Sequence, residues 1–554
     1  MLKDGKIWIA QNDQGENIFI LPKMANRHGL VAGATGTGKT VTLKVMAETF
    51  SEMGVPVFMA DVKGDIAGML CPGTDSEDMQ KRIAKFGLAE AGFSYKGCPV
   101  TLWDIFGKNG IPLRTTVSEI GPLLLARILE LNDLQSALLN IIFKIADDNN
   151  LLLIDTKDIK ACINYIQDHR GDFEPDYGKM SAASLSAIQR AIVALELAGG
   201  DVFFGEPALN IHDWMTQDMG KGMINILDSE SLISNGKLYS TFLLWMLSEL
   251  FETLPEVGDM PKPKMVFFFD EAHLLFDGAS KALLDKIEQV VKLIRSKGVG
   301  VYFCTQNPRD IPDGVLAQLG NKIQHGLRAY TPAEQKSVKA AAASFRENPA
   351  FNAVEVIQAL GTGKALVSFL GEDGTPGMAQ KVSILPPQCS MGGITENQRD
   401  QAIKGSMLYG KYAESYDSDS AYEFLMRHGQ EEAAARQRAA EEAEQAKEDA
   451  RLAKEQAKEN ARLAKEQAKE EARIAREQAK EEARLQKEAE KQAAAAERAK
   501  NQAIKSVGNS ILGTVGRAVG KSLGATAGGS FGKTLGGNLG ASLARGIFGT
   551  LFKG

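Results

Sequence analysis

The stretch GATGTGKT, Gly33–Thr40, decides the fold class of the chain. It follows the apolar run HGLVA and precedes the helix-forming run TLKVMAETF. In that setting, glycines let backbone N–H groups close around phosphate oxygens, and the helix adds its positive N-terminal end. Lys39 then reaches the β- and γ-phosphates, and the Thr40 hydroxyl binds Mg²⁺. The sequence predicts that a nucleoside triphosphate is bound by Gly33, Ala34, Thr35, Gly36, Thr37, Gly38, Lys39 and Thr40.

A similar string, GTGK at Gly361–Lys364, does not fit that pattern. It lacks the upstream glycine and a following Ser or Thr, and it precedes a strand-like run instead of a helix. The sequence predicts a simple turn there.

The run MVFFFDEAH, Met265–His273, places two adjacent acids at the end of an apolar strand. Open α/β sheets bind their ligands at the carboxyl ends of the strands. Asp270 is therefore the candidate ligand for Mg²⁺, and Glu271 is the candidate base that orients and deprotonates the attacking water. Two acids in this position also occur at helix starts, but the nearby phosphate loop favours the catalytic interpretation. Glu271 separates a hydrolase from a protein that only binds nucleotide.

Two further polar residues flank the strand-like run VGVYFCTQ. Gln306 ends the run and is a candidate for sensing the γ-phosphate or contacting the water, with a strand-end cap as the alternative. Arg295 precedes the run and is a candidate arginine finger, a residue that stabilises transition-state charge and often acts from a neighbouring subunit. A solvated helix end also favours arginine, so both interpretations of Arg295 remain open.

Short apolar runs alternate with helical segments through residues 26–390 and predict an α/β fold. The strand-like runs are His28–Gly33, Val55–Asp61, Lys264–Ala272, Val299–Gln306 and Ala365–Leu370. Continuous apolar runs of this kind indicate a parallel sheet with helices on both faces. The sequence therefore predicts a RecA-like P-loop NTPase domain with a helical insertion at about 105–220. Residues 1–25 are interpreted as a short N-terminal segment and 391–429 as a connector.

The composition narrows the class of protein. A net charge of −6 excludes a basic protein that coats nucleic acid, although a local basic channel is compatible with an acidic net charge. Five scattered cysteines without a CxxC pair indicate free thiols in a reducing compartment. No secretory signal and no apolar run long enough to span a membrane are recognised. These features predict a cytoplasmic protein.

Taken together, these residues resemble the HerA/FtsK superfamily of ring-forming P-loop ATPases, and the HerA-like branch most closely. The resemblance is carried, from about residue 25 to 385, by HGLVAGATGTGKT, ADVKGD, DEAH, LIRSKGVGVYFCTQNPRDIP, NKIQHGLRAYTP and LGTGKALVSFL. It implies a homohexamer driven by ATP and Mg²⁺ that grips DNA in its central channel. It also implies that Arg295 acts in trans, that Gln306 is the sensor and that Arg328 faces nucleotide. Asp61 lies where the family carries an acid, and its role is left open.

Two comparisons limit the resemblance. HerA proteins usually carry an N-terminal β-barrel, and the 25 or so residues before the phosphate loop are too few for it. The element that docks a nuclease partner is therefore expected to be missing. DEAH-box RNA helicases share the string DEAH, but their later motifs are absent, so that match is rejected.

Residues 430–505 consist almost entirely of Ala, Glu, Lys, Arg and Gln and predict one long helix. The units ARLAKEQAKEN, ARLAKEQAKEE and ARIAREQAKEE repeat every eleven residues, which keeps alanines nearly on one face. A stripe of such small residues buries little surface. A solvated single helix, on the order of 100 Å long at ~1.5 Å per residue, and an alanine-seamed coiled coil both remain open.

Residues 506–554 form a Gly-xxx-Gly tail with lysine and arginine but no acid. Glycine costs about 1 kcal/mol against alanine inside a helix, so a helical tail needs close packing or a membrane surface. Its cations favour anionic lipid. Self-association and peripheral contact with the inner face of the membrane are both open, with a flexible linker as the alternative.

Three functions fit these features. The leading prediction is a ring ATPase that moves or remodels DNA. The alternatives are a membrane-associated ATPase that translocates or secretes protein, and a nucleotide-switched membrane scaffold. Stimulation by DNA separates the first from the second. The loss of function on Glu271→Gln separates both motors from the scaffold.

Overall fold

The computed structural model describes residues 1–500 except 233–235, 278 and 280, and it describes no side chains for 236, 237, 240, 282 and 493–500. The described residues divide into two units, Met1–Arg427 and a second unit that begins at His428.

The strands are β1 (Leu2–Lys3), β2 (Lys6–Asn12), β3 (Asn17–Ile20), β4 (Gly29–Ala32), β5 (Val57–Asp61), β6 (Val100–Asp104), β7 (Ile111–Pro112), β8 (Gln217–Asp218), β9 (Lys221–Gly222), β10 (Ile224–Asp228), β11 (Met265–Phe269), β12 (Val299–Thr305), β13 (Asn321–His325), β14 (Lys364–Ser368) and β15 (Gln380–Ile384). The α-helices are α1 (Lys39–Glu52), α2 (Glu77–Phe86), α3 (Val117–Ile128), α4 (Asp133–Asp148), α5 (Thr156–Asp168), α6 (Arg170–Tyr177), α7 (Ala182–Leu195), α8 (Asp201–Phe203), α9 (Gly236–Thr253), α10 (His273–Phe276), α11 (Lys281–Ile294), α12 (Asp313–Leu316), α13 (Pro332–Ala343), α14 (Ala353–Ala359), α15 (Glu396–Gly405), α16 (Tyr409–Tyr412) and α17 (Ala421–Lys500).

A 13-stranded sheet organises the first unit. Its order is β1-β2-β15-β14-β13-β4-β12-β11-β5-β10-β6-β7, with β3 paired to β2. Neighbours are parallel from β13 through to β7. The other pairs, from β14 to β1, are antiparallel. The predicted α/β fold with a mostly parallel sheet is thereby confirmed.

The central strands are buried along their whole length because apolar side chains pack on both faces of the sheet. Every residue of β5, β10, β11 and β12 is buried. Alternate residues enter two different cores: Phe58 and Phe267 pack on one face, and Met59 and Phe268 pack with Phe50 of α1 on the other. Polar side chains are thereby concentrated at the strand ends.

Residues 1–25, interpreted as a short N-terminal segment, form strands that pair with the edge of the large sheet. β2 pairs with β15 through Ala10 and Ile384, and β3 folds back on β2. Ile7, Trp8 and Ile9 are all buried. This apolar run secures the segment to the antiparallel edge of the sheet.

Helices occupy most of the predicted insertion between β7 and β8. Each of α3, α4 and α5 begins with a capping box, at Thr116, Asn132 and Asp155. Such caps satisfy first-turn N–H groups that would otherwise lack partners. Their buried faces join the same core as the sheet strand β11.

One helical stretch within the described residues, Ala182–Phe203, is long and apolar enough to cross a membrane by length and composition alone. The sequence predicts no such run. The stretch joins α7 to α8 through a π-helical turn, and Gly199 has a non-helical φ of 93° there. Core helices of soluble proteins share this length and composition.

The predicted connector packs on the first unit. Arg399 of α15 contacts Asp228 at 3.3 Å, and the ring of Tyr412 lies edge-on to Trp103 at 5.4 Å between centroids. The long helix begins at Ala421, earlier than the predicted 430, because Glu423 accepts a hydrogen bond from the backbone N–H of Ser420 and caps the start. The first unit therefore extends to Arg427.

The described residues of the second unit, 428–500, all belong to the helix α17. Every described side chain from 433 to 492 is exposed, and its ion pairs are local, such as Arg473–Glu470 at 2.6 Å. The long helix is present as predicted, whereas the choice between a single helix and a coiled coil stays a prediction. The predicted Gly-xxx-Gly tail, 506–554, lies outside the described residues.

Candidate functional site

The phosphate-binding loop connects β4 to α1, and its glycines adopt conformations that other residues avoid. Gly33, Gly36 and Gly38 have φ of 155°, 76° and 109°. A Cβ on Gly33 would lie 2.5 Å from the Cβ of His325. No side chain caps α1 among the described residues, because its cap position is Gly38. The first-turn N–H groups of α1 are therefore left for a ligand, which is the arrangement that binds phosphate.

Lys39 and Thr40 lie at the start of α1. The Lys39 ammonium is buried and donates hydrogen bonds to the carbonyls of Gly33 at 2.7 Å and Ala34 at 3.2 Å. The Lys39 ammonium therefore lies against the first two residues of the phosphate loop. Thr40, the next residue, is half-buried.

Asp270 and Glu271 follow the last residue of β11, at the carboxyl edge of the sheet. Both are buried, and Asp270 accepts a hydrogen bond from the backbone N–H of Glu271 at 2.9 Å. Burial, followed by the charge of Glu271, raises the pKa of Asp270 above its ordinary value. Glu271 has a φ of 47°, a left-handed conformation that costs a non-glycine residue about 1–3 kcal/mol. Such strain often accompanies a functional side chain that must point in one direction.

Gln306 links the acid to the phosphate loop. Its side-chain amide donates to both carboxylate oxygens of Glu271, at 3.2 and 3.3 Å, and its carbonyl oxygen accepts from the Thr35 hydroxyl at 3.4 Å. β12 lies between β4 and β11, so all three residues emerge from neighbouring strands. The structure therefore brings Gln306, Glu271 and the loop together.

Arg295 does not belong to this cluster within one chain. It is exposed and precedes β12, whereas Gln306 follows it. Seven strand residues at about 3.3 Å each separate the two edges by more than ~20 Å. Burial and the charge of Arg27 lower the pKa of Arg295. A contribution to the site of a neighbouring subunit stays a prediction.

Arg328 lies on the same edge as the loop. It follows β13, and the carbonyl of Gly326, two residues earlier, accepts a hydrogen bond from the Ala34 N–H at 3.0 Å. Its side chain is exposed. This position is compatible with contact to a bound nucleotide, which stays a prediction.

Three parts of the site are not predicted by the sequence. One is the GTGK string at Gly361–Lys364. It forms the predicted turn, and it also contacts the phosphate loop, because the Gly363 N–H donates to the Thr37 carbonyl at 3.0 Å. The second is His325, whose ring contacts the Thr42 hydroxyl at 2.9 Å and the Lys364 carbonyl at 3.1 Å. Burial lowers the pKa of His325 to about 4, so the ring is neutral at pH 7.

The third part is the pair of neighbours on the other side of Glu271. The Lys63 ammonium lies 4.0 Å from one carboxylate oxygen, and Nδ1 of His273 lies 3.4 Å from the other. Lys63 belongs to the quoted string ADVKGD, and His273 to DEAH. The two motifs contain both residues, but their contact with Glu271 follows only from the pairing of β5 with β11.

Asp61, whose role the sequence left open, ends β5. Its carboxylate accepts hydrogen bonds from the backbone N–H of Ala67 at 2.9 Å and of Lys63 at 3.3 Å. Burial, opposed by these backbone hydrogen bonds, raises the pKa of Asp61 to about 6. Asp61 therefore holds the following loop in a turn.

Oxygen donors in this region fit a magnesium ion. The Thr40 hydroxyl and the Asp270 carboxylate are hard ligands of the kind that Mg²⁺ prefers, and nucleotide phosphates and water would supply the remaining positions. Within the described residues, no cluster of three or more His, Cys, Asp or Glu side chains could hold a metal by itself. A site shared with the nucleotide needs no such cluster.

A cleft of about 590 Å³ adjoins Gln306 on the side of His273. Arg309 and Asp310, from the turn after β12, lie in its wall. The cleft gives Gln306 access to solvent.

Comparisons with known proteins identify the family. Residues 6–530 match the family model HerA_C, described as helicase HerA-like C-terminal. The chain belongs to this HerA-like family. The resemblance inferred from the sequence is thereby confirmed.

Among curated proteins, the chain is similar to the probable helicase MJ1565 of Methanocaldococcus jannaschii, with 23% identity over 351 residues, 62% of this chain and 60% of the relative. It is also 23% identical, over 353 residues, to the DNA double-strand break repair helicase HerA of Sulfurisphaera tokodaii, covering 62% of each chain. The chain thus spans about three fifths of the length of these relatives. Among solved structures, the bacterial conjugative coupling protein TrwBΔN70 aligns at 15% identity over 71% of this chain and 93% of that chain, with a TM-score of 0.47.

Proposed function

We propose that the protein hydrolyses Mg-ATP and uses the energy to move or remodel DNA as a ring of identical subunits. The observation that carries the hydrolysis is the bridge formed by Gln306. It contacts Glu271 through two hydrogen bonds and Thr35 of the phosphate loop through a third. A candidate base and a phosphate-binding loop are thus held within one side chain's length of each other.

The phosphate loop binds and orients the triphosphate. Its backbone N–H groups and the uncapped start of α1 surround the phosphates, and Lys39 exchanges its contacts with Gly33 and Ala34 for the β- and γ-phosphates. Thr40 and Asp270 hold Mg²⁺ in this proposal. When bound, the ion neutralises charge that develops on the phosphate oxygens.

Glu271 acts on the attacking water. Its carboxylate accepts the water's proton, and Gln306 fixes the direction of that carboxylate. The cleft beside His273 and Gln306 supplies the path for water. Phosphoryl transfer depends chiefly on this positioning and on charge stabilisation.

The ring is proposed because the chain's own Arg295 lies at the far edge of the sheet. An exposed arginine in that place is suited to enter the site of a neighbouring subunit, where it stabilises transition-state charge. A homohexamer supplies six such boundaries. Assembly with ATP bound, measured by light scattering or negative-stain imaging, tests this part.

DNA as the polymer is supported by the descriptions of the relatives, one of which is a DNA double-strand break repair helicase. We expect double- or single-stranded DNA to raise the ATPase rate and to be retarded with the protein in a gel. No stimulation by any DNA, together with no gel shift, would contradict a DNA motor. The Glu271→Gln variant should bind ATP and DNA yet lose both hydrolysis and movement.

A further inference from the structure

Lys63 occupies a loop whose shape is fixed by Asp61. One carboxylate oxygen of Asp61 accepts from the Lys63 N–H and the other from the Ala67 N–H. Gly64, next to Lys63, has a φ of 72° that favours glycine. The loop follows β5, which pairs in parallel with β11, so it emerges beside Glu271.

The Glu271 carboxylate is held from three sides. Gln306 donates two neutral hydrogen bonds, His273 lies at 3.4 Å, and Lys63 lies at 4.0 Å. At 4.0 Å the Lys63 ammonium attracts the carboxylate without a short hydrogen bond, so the oxygen it faces, which accepts from Gln306, keeps a second lone pair for the proton of the attacking water.

We propose that Lys63 is a positioning residue for the catalytic Glu271, and that Asp61 acts on hydrolysis through it. The ammonium attracts the carboxylate and holds it in the direction set by the strained backbone of Glu271. Asp61 supplies no group to the reaction; its two oxygens are engaged by the loop that presents Lys63. This inference rests on the proposed hydrolysis through Glu271.

A purely structural role for Lys63 does not fit its surroundings. Its side chain is 47% exposed, and Glu271 is the one ion-pair partner that the described residues give it. Half-exposed pairs of this kind contribute little to folding stability. A direct role in binding phosphate is the other alternative, and it predicts a different kinetic change.

The test compares Lys63→Met, Lys63→Arg and a matched control, Lys81→Met. Lys81 is 73% exposed on α2, where it forms a pair with Glu77 four residues away. We expect Lys63→Met to lower kcat about 10- to 100-fold, the usual cost of losing a group that orients a catalytic ligand or base, with KM and the Kd for ATP unchanged. Lys63→Arg should recover most of the rate, and Lys81→Met should match the unmodified chain.

Epistasis with Glu271 and Asp61 completes the test. Lys63→Met should cause no further loss of kcat in a Glu271→Gln background, because it acts only through that carboxylate. Asp61→Asn combined with Lys63→Met should have the kcat of the Lys63→Met variant. An unchanged kcat for Lys63→Met, a raised KM at constant kcat, or additive losses with Asp61→Asn would overturn the inference. If Glu271→Gln itself hydrolyses ATP normally, the proposed function fails instead.

Discussion

Glu48 of α1 provides a pH-dependent test of how the phosphate-loop helix is secured. Its buried carboxylate accepts hydrogen bonds from the backbone N–H groups of Gln388, at 3.0 and 3.1 Å, and of Cys389, at 3.3 Å. These bonds attach α1 to the segment after the last strand of the sheet. Burial nevertheless dominates and raises the pKa of Glu48 from 4.5 to about 7. Glu48→Gln keeps the shape and an acceptor but removes the ionisation.

The sign of the effect follows from proton binding. Between pH 4.5 and 7 the unfolded chain has lost the Glu48 proton, whereas the folded chain retains it. The folded state then binds more protons, so its stability falls as the pH rises through this window. At about 1.4 kcal/mol per pKa unit, this group alone costs about 3 kcal/mol between pH 4 and pH 8. Glu48→Gln should therefore gain about 3 kcal/mol relative to the unmodified chain over the same range.

Urea unfolding followed by tryptophan fluorescence measures this difference. The four tryptophans, Trp8, Trp103, Trp214 and Trp245, are buried in the first unit, so the signal reports on that unit. Titrating groups that do not interact with Glu48 are common to both proteins and cancel in the comparison, whereas the Met1 ammonium interacts with the Glu48 charge and contributes to the difference. The exposed variant Glu77→Gln is the control and should show no pH-dependent difference. A constant stability difference between Glu48→Gln and the unmodified chain from pH 4 to 8 would refute the reasoning.

Three further changes probe the site. Gly33→Ala places a methyl group 2.5 Å from the Cβ of His325 and should weaken ATP binding by about tenfold or more in calorimetry, since a residue held in a glycine-only conformation costs about 1–3 kcal/mol; unchanged affinity contradicts the loop geometry. Gln306→Ala should lower kcat by about 100-fold while KM stays constant in steady-state assays, because a preorganised donor is lost; a change confined to KM contradicts its role. Arg295→Ala and Glu271→Gln should each be inactive alone yet recover turnover when mixed, since some boundaries then combine an intact Glu271 with an intact Arg295; activity of Arg295→Ala alone contradicts action in trans.

The phosphate loop and the acid pair could be predicted because their signals are local. Gly33–Thr40 is contiguous, and its strand and helix lie on either side of it in the sequence. Asp270 and Glu271 likewise follow directly from the burial of β11. The parallel arrangement then brings the strand ends together without further information.

Contacts that depend on antiparallel pairing could not be predicted in the same way. β14 runs antiparallel to β13, so the turn at its start returns to the carboxyl edge of the sheet and reaches Thr37. The string GTGK itself contains no signal that predicts this strand pairing. The burial of β2 at the other end of this antiparallel edge was missed for the same reason, since its partner β15 is more than 360 residues away.

Contacts between side chains at the edge of the site could not be predicted from the sequence either. Lys63 and His273 were quoted within motifs, but their contact with Glu271 requires the order of β5, β11 and β12 in the sheet. Sequence spacing gives no such order. The boundary of the first unit at Arg427 could not be predicted for a similar reason. The helices α15 and α16 contact the rest of that unit through single residues such as Arg399 and Tyr412.

Single-turnover hydrolysis of ATP by the Glu271→Gln variant tests the central claim most directly. The variant should bind ATP with the affinity of the unmodified chain and cleave it more than about 100-fold more slowly, because the carboxylate that accepts the water's proton is gone. Cleavage at the unmodified rate with normal ATP binding would show that Glu271 is not the base.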